Sequence, residues 1–172
     1  MSVSRPPDDT MPAWAAAARS GDWVAWPGLP AGVDEALVTR WLGATGEPER
    51  GPARLGHHLV DVVHRGGTSA WVRGGVVVLV EIEDPAGGHD VDALLARLGP
   101  PDRSGPGRHL RSGSTTTEHV WASRGLAVTV AESYDDPPTH APFLAAVQLF
   151  TPTDLRAFVL ELGGNDRGGP RL

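Results

Sequence analysis

The 172-residue sequence contains no cysteine. Disulfide bonds, thiolate metal sites and cysteine nucleophiles are therefore excluded. Lysine is also absent, so arginine supplies all 15 basic side chains, against 21 acidic ones. The resulting net charge of −6 gives no electrostatic footprint for nucleic acid or for an anionic membrane surface. The composition therefore predicts that neither is a partner.

Long apolar runs and catalytic motifs are missing as well. A run such as Val76–Val80 is far too short to cross a bilayer, and the N-terminal MSVSRPPDDTMPAW lacks the apolar core of a signal peptide. We therefore expect a cytoplasmic protein. No GxSxG, HExxH, GxGxxG or EF-hand pattern occurs. This favours a protein without enzymatic activity, and no cofactor is expected.

One phrase occurs three times in the chain: DEALVTRWLG at 34–43, DVDALLARLG at 90–99 and DLRAFVLELG at 154–163. Each copy opens on an aspartate, whose carboxylate can accept the free N–H groups of a first helical turn. Each ends on a glycine, which suits the position just after a helix. Apolar residues between them recur at helical spacing, so the phrase predicts three short amphipathic helices.

The segments between these helices are rich in β-branched residues and predict antiparallel strands. Arg-Gly pairs at 73–74 and 124–125 fall where hairpin turns need glycine. Aligning the two stretches pairs Trp71 with Trp121 and Glu81 with Glu132. Helix and strand segments therefore recur together, which indicates a tandem duplication.

The predicted fold class is α+β, with two tandem repeats of a short helix followed by an antiparallel β-meander, plus a C-terminal helix. Repeat 1 is assigned to residues 21–88, repeat 2 to 89–151 and the C-terminal helix to 152–163. Residues 1–20 and 164–172 are polar, rich in proline or glycine, and are expected to be disordered tails.

The tandem helix-then-meander units resemble the SmpA/OmlA lipoprotein fold, as do the phrase Leu98-Gly99-Pro100-Pro101-Asp102 and the aromatic residue before the hairpin turn. Beta-lactamase inhibitory protein is similar to a tandem version of that fold. The resemblance covers roughly residues 30–150 and is architectural. It implies a curved sheet that binds another protein without catalysis. The chain departs from that family in lacking a lipidated cysteine, disulfides and an export signal, so no binding residue is carried over.

A second architecture, the glyoxalase-like fold, pairs βαβββ modules around a metal held by histidines and glutamates. Glu81 and Glu132 would suit such a site, which makes a small enzyme with a ligand or metal site between the repeats the alternative function. Each glutamate also ends a strand just before an acidic turn. The other interpretation is therefore two solvated charges.

The stretch GHHLVDVVHRG raises a zinc hypothesis. On a helix, His57, Asp61 and His64 would share one face and could bind zinc. On a strand, His58 and His64 would lie roughly 20 Å apart. The valines within the stretch favour a strand, so no metal site is predicted here.

Two further groups are candidates for binding. Arg108 and Arg111 lie in a Gly-rich loop that could hold an anion or be simply solvated. Trp23 and Trp26 lie in a Pro/Gly-rich segment and either pack on the core or contact a partner. The leading hypothesis is a non-enzymatic protein-binding module, such as an inhibitor, immunity or accessory protein. It would use a sheet face together with these tryptophans.

Overall fold

The computed structural model describes residues 21–42, 48–85, 90–107 and 111–162. In chain order, the elements are α1 (Glu35–Leu42), β1 (Glu49–Leu55), β2 (His58–Arg65), β3 (Thr68–Arg73), β4 (Val76–Glu83), α2 (Val91–Leu98), β5 (Arg103–Pro106), β6 (Ser114–Trp121), a 3-10 turn (Ala122–Arg124), β7 (Leu126–Ser133), β8 (Phe143–Phe150) and α3 (Leu155–Glu161).

All three expected helices are present, and aspartates begin them as predicted. Asp90 accepts a hydrogen bond from the Ala93 N–H at 3.0 Å, and Asp154 accepts one from the Ala157 N–H at 2.8 Å. At α1, the Asp34 carboxylate accepts from the Ala36 N–H at 2.6 Å. These carboxylates satisfy N–H groups that would otherwise lack an intrahelical partner.

The eight strands form one antiparallel sheet in the order β1-β2-β3-β4-β8-β7-β6-β5. Strands β1–β4 form one meander and β5–β8 another, and the two meet where β4 pairs with β8. Glu81 and Gln148 are the middle pair of that junction. The fold is therefore α+β, and all eight strands of the described residues lie in one sheet.

The sheet packs on both faces. On one face, α1, α2 and the segment 23–33 cover a large core that includes Val38, Leu94 and Val128. On the other face, Phe158 and Leu162 pack with Phe150 and other residues in a smaller core. The central strands β4, β7 and β8 are buried almost continuously. These three strands are therefore covered on both faces and do not form the exposed concave sheet face that the sequence predicts as a contact surface.

The matching of Trp71 with Trp121 is wrong at the level of residues. Trp71 on β3 packs against the smaller core, whereas Trp121 on β6 belongs to the larger core on the other face. The two connections also differ. Gly74 and Gly75 form the β3–β4 turn with φ of 59° and 78°, whereas Gly125 ends a 3-10 turn with φ of 63°.

Both edges of the sheet carry proline: Pro52 lies in β1 and Pro106 ends β5. Proline has no N–H for a sheet hydrogen bond, and natural sheets use it to block pairing with another strand. None of the described helices has the length and apolar character needed to span a bilayer.

Candidate functional site

The helix α3 is held against the sheet by an aromatic contact. The ring centroids of Phe158 and Phe150 lie 4.8 Å apart, and Phe158 is fully buried. The end of the helix rests on the β1–β2 turn, where the carbonyl oxygen of Leu160 leaves no room for a side chain at Gly56. The sequence places a glycine there, and its φ of 58° also favours one.

A cleft of about 260 Å³ opens beside α3. Three distant segments form it: the turn before α1, the β3–β4 hairpin, and the chain from Thr151 to the end of α3. Its walls are mainly apolar, and the described lining residues are Ala31, Gly32, Arg73, Val76, Val77, Val78, Thr151, Pro152, Thr153, Ala157, Glu161 and Leu162.

Three polar side chains meet beside this cleft, of which Arg73 and Glu161 line it. Arg73 donates to the Glu161 carboxylate at 3.0 Å, and Nε2 of His58 lies 3.0 Å from the same oxygen. The hydrogen bond from Arg73, followed by that from His58, lowers the pKa of Glu161. Glu161 is therefore ionised at neutral pH and shared between two donors, so the cleft combines apolar walls with an Arg73–Glu161 ion pair.

A second polar feature is buried in the sheet itself. Glu81, Glu118, Thr129 and Gln148 are all buried. Thr129 and Gln148 each lie between two residues of the larger core, so strand alternation directs them to the α3 side of the sheet. Glu81 lies between Val80 and Ile82 and points the same way. We call these four residues the polar layer.

Within the polar layer, Gln148 Nε2 donates to the Glu81 carboxylate at 2.7 Å. Glu118 lies directly opposite Thr129 on the neighbouring strand. Glu81 and Glu118 are separated by three strand spacings and two residues along the strand, roughly 16 Å between backbones. Their carboxylates therefore belong to different strand pairs rather than to one acid–base dyad.

Glu81 and Glu132, the sequence-predicted metal pair, are not brought together. Glu81 is buried, whereas Glu132 is exposed near the end of β7. Two strand spacings and five residues along β7 separate them, roughly 20 Å in all. Within the described ranges, no group of three or more His, Asp or Glu residues could hold a metal ion. The solvated interpretation is also wrong for Glu81.

Trp23 and Trp26 belong to the core and not to a contact surface. Trp23 is 0% exposed and Trp26 is almost as buried. The Trp26 indole N–H donates to the Gly125 carbonyl at 3.1 Å, and Arg124 donates to the Val24 carbonyl at 2.6 Å. These bonds fix the segment onto the β6–β7 connection, so the packing interpretation replaces the binding one.

Arg111 also takes a structural position. Arg111 donates to Asp84 at 2.9 Å and to the Ala145 carbonyl at 3.2 Å, which ties its loop to the sheet. Arg108 lies outside the described residues. The strand interpretation of GHHLVDVVHRG is confirmed, since His58–Arg65 is β2. The Nε2 atom of His64 lies 3.4 Å from the Glu49 carboxylate on β1.

A Ser–His contact on the sheet edge was not anticipated from the sequence. Ser104 Oγ lies 2.8 Å from His119 Nδ1, and the register places the two residues directly opposite each other on β5 and β6. Burial lowers the pKa of His119, and the Glu132 charge partly opposes this. His119 is therefore mainly neutral at pH 7, and the contact joins the edge strand to the sheet.

The sequence offered one usable signal for the polar layer. Gln148 interrupts the otherwise apolar FLAAVQLF of β8, and a lone amide within such a run indicates a buried hydrogen bond. The cleft had no local signal, because its walls come from segments up to 131 residues apart (Ala31 to Leu162).

We expect Gln148→Leu to destabilise the protein by about 1–3 kcal/mol, because Glu81 would lose a buried hydrogen-bond donor. Glu81→Leu combined with Gln148→Leu should cost less than the sum of the single changes, since neither polar group then remains. Urea denaturation of the three variants measures this coupling. Additive costs would show that the pair contributes no coupling energy.

Comparison of the chain with protein-family models, with curated proteins and with solved structures gave no match.

Proposed function

We propose that this protein is a non-enzymatic protein-binding module that contacts its partner through α3. The supporting observation is the apolar exposed side of that helix. Leu160 is 51% exposed, and Val159 is also exposed. Val76, which lines the cleft, is exposed as well. We call these three residues the α3 surface. A helix whose buried side and exposed side are both apolar is typical of a helix that other protein surfaces cover on both sides.

The rest of the sheet supports this location. The central strands are buried, and both edge strands carry proline, which disfavours addition of a partner strand. Leu160 lies three residues after Ala157, which lines the cleft, so the exposed leucine and the cleft adjoin each other on the helix. Exposed apolar groups beside a concave cleft are what a partner's side chain can bury.

The duplication is part of this proposal. A helix followed by a four-strand meander occurs twice, and the two meanders meet with mirrored strand order at β4 and β8. We infer that the two halves arose from one ancestral unit. In this alignment β4 corresponds to β8, whereas the match of Glu81 with Glu132 pairs β4 with β7. We also propose an SmpA/OmlA-like architecture, a role as an inhibitor, immunity or accessory protein, and a cytoplasmic location.

The test uses Leu160→Gln, which keeps a good helix-forming residue while removing apolar surface. The tagged full-length protein is used to recover partners from a lysate of its own organism, and affinity for the recovered protein is then measured. We expect Leu160→Gln to weaken binding at least tenfold, as expected for the loss of an interface anchor.

Leu59→Gln is the matched control, because Leu59 is 73% exposed on β2 and lies outside α3. It should leave the affinity unchanged, and thermal melts should show both variants folded. Equal affinity of the wild-type protein and Leu160→Gln would remove α3 from the interface. Recovery of no protein partner would count against the binding function itself.

A further inference from the structure

Arg73 has hydrogen-bonding capacity that the described structure leaves unused. Its guanidinium carries five N–H groups, and one nitrogen donates to Glu161. Among the described residues, this is the one partner of the Arg73 side chain. The bonds from Arg73 and His58 both end on the same oxygen of Glu161, Oε2. The five N–H groups of Arg73 alone exceed the roughly four acceptor sites of one carboxylate, so donors outnumber acceptors in this group. The missing component is an acceptor, which favours an anion over a cation.

The cleft behind Arg73 suits a short aliphatic group. Val76, Val78, Ala157 and Leu162 supply apolar surface, while Thr151 and Thr153 line the same space. Its volume of about 260 Å³ is slightly below the range that holds drug-sized ligands. A chain of several methylene groups would bury its surface there, and its charged end would remain at the rim, where Arg73 is partly exposed.

We propose that this cleft is a binding site for a small aliphatic carboxylate. The ligand's carboxylate accepts hydrogen bonds from the Arg73 guanidinium, and its chain lies among Val78, Ala157 and Leu162. Binding is a reversible association with no covalent step. The site does not depend on a protein partner, so this inference stands or falls separately from the proposed function.

The first test titrates the wild-type protein with sodium hexanoate, using calorimetry or NMR to follow binding. Pentan-1-ol and pentylamine have the same five-carbon chain with a neutral and a cationic end. We expect hexanoate to bind at least tenfold more tightly than either, because a charge-assisted hydrogen bond to arginine requires the carboxylate. Equal binding of all three compounds, or no binding of hexanoate, would overturn the proposal.

Charge variants then locate the site. Arg73→Gln should weaken hexanoate binding at least tenfold, and Arg54→Gln, at an exposed arginine on β1, should not change it. Glu161→Gln should tighten binding severalfold, because it removes a like charge and releases an Arg73 N–H. A site unrelated to this cleft would respond to none of these changes.

A steric variant tests the same site without touching a charge. Ala157→Leu places a larger side chain in the cleft, and it should abolish hexanoate binding while thermal melting shows a folded protein. If Ala157→Leu does not fold, Ala157→Val replaces it, and unchanged binding by either folded variant contradicts the site. A leucine-ended peptide that binds more tightly than hexanoate and loses affinity in Arg73→Gln would place the carboxylate on a polypeptide and overturn the small-molecule assignment.

Discussion

Gly125→Ala should destabilise the protein by about 3 kcal/mol or more, one of the two largest effects expected of a single substitution here. Gly125 has a φ of 63°, a conformation that disfavours any residue with a Cβ. A Cβ at this position would also lie well inside van der Waals distance of the Phe150 carbonyl oxygen. Both effects act on a backbone that cannot move independently.

That backbone is fixed because several bonds converge on it. The Gly125 carbonyl accepts from the Phe150 N–H at 2.9 Å and from the Trp26 indole at 3.1 Å. The Phe150 carbonyl in turn accepts from the Leu29 N–H at 3.0 Å. A backbone shift that relieves the close contact of the alanine Cβ would therefore disturb both β8 and the buried N-terminal segment.

Gly74→Ala is the matched control for this prediction. Gly74 has nearly the same φ, 59°, but no atom lies within 4 Å of a Cβ built there. It should cost about 1–2 kcal/mol from backbone conformation alone. Urea denaturation and thermal melting measure both variants, and 3 kcal/mol corresponds to roughly 6–12 °C in Tm. Equal losses would show that the contact between Gly125 and Phe150 is not tight.

Local chemistry explains which parts of the fold were predictable from the sequence. Aspartate caps act on N–H groups two or three residues away, so Asp34, Asp90 and Asp154 identify helix starts without tertiary information. Valine-rich stretches such as β2 and β4 indicate strands for a similar reason, since β-branched side chains fit a pleated surface. The α+β class follows from these elements.

The residue-by-residue matching of the two predicted repeats was wrong, because the surroundings of a residue depend on the neighbours of its strand. Glu81 and Glu132 follow similar apolar runs, but Glu81 lies at the β4–β8 junction with Gln148 opposite, whereas Glu132 lies opposite Thr115. Burial of Trp23 and Trp26 was likewise set by Arg124 and Gly125, about 100 residues away. Such long-range pairings leave no local pattern in a single sequence.

The candidate site depends on α3 staying in place, and this leads to the second large effect. Phe158→Ala should cost about 3–5 kcal/mol, the usual range for removing a buried phenylalanine side chain. Phe158 is fully buried and packs on Phe150. A total stability of roughly 5–15 kcal/mol is typical of a domain, so the variant would retain only part of it. Phe158→Leu keeps most of the volume and should cost far less.

Loss of this anchor should also remove binding. A helix of seven residues is not stable in water without tertiary packing, so α3 would detach in Phe158→Ala before the sheet unfolds. Hexanoate titration below the melting temperature should then show no binding, although far-UV circular dichroism reports an intact sheet. If Phe158→Ala lost the docked helix but bound hexanoate with wild-type affinity, the hexanoate site would not require α3 and would have to lie elsewhere on the molecule.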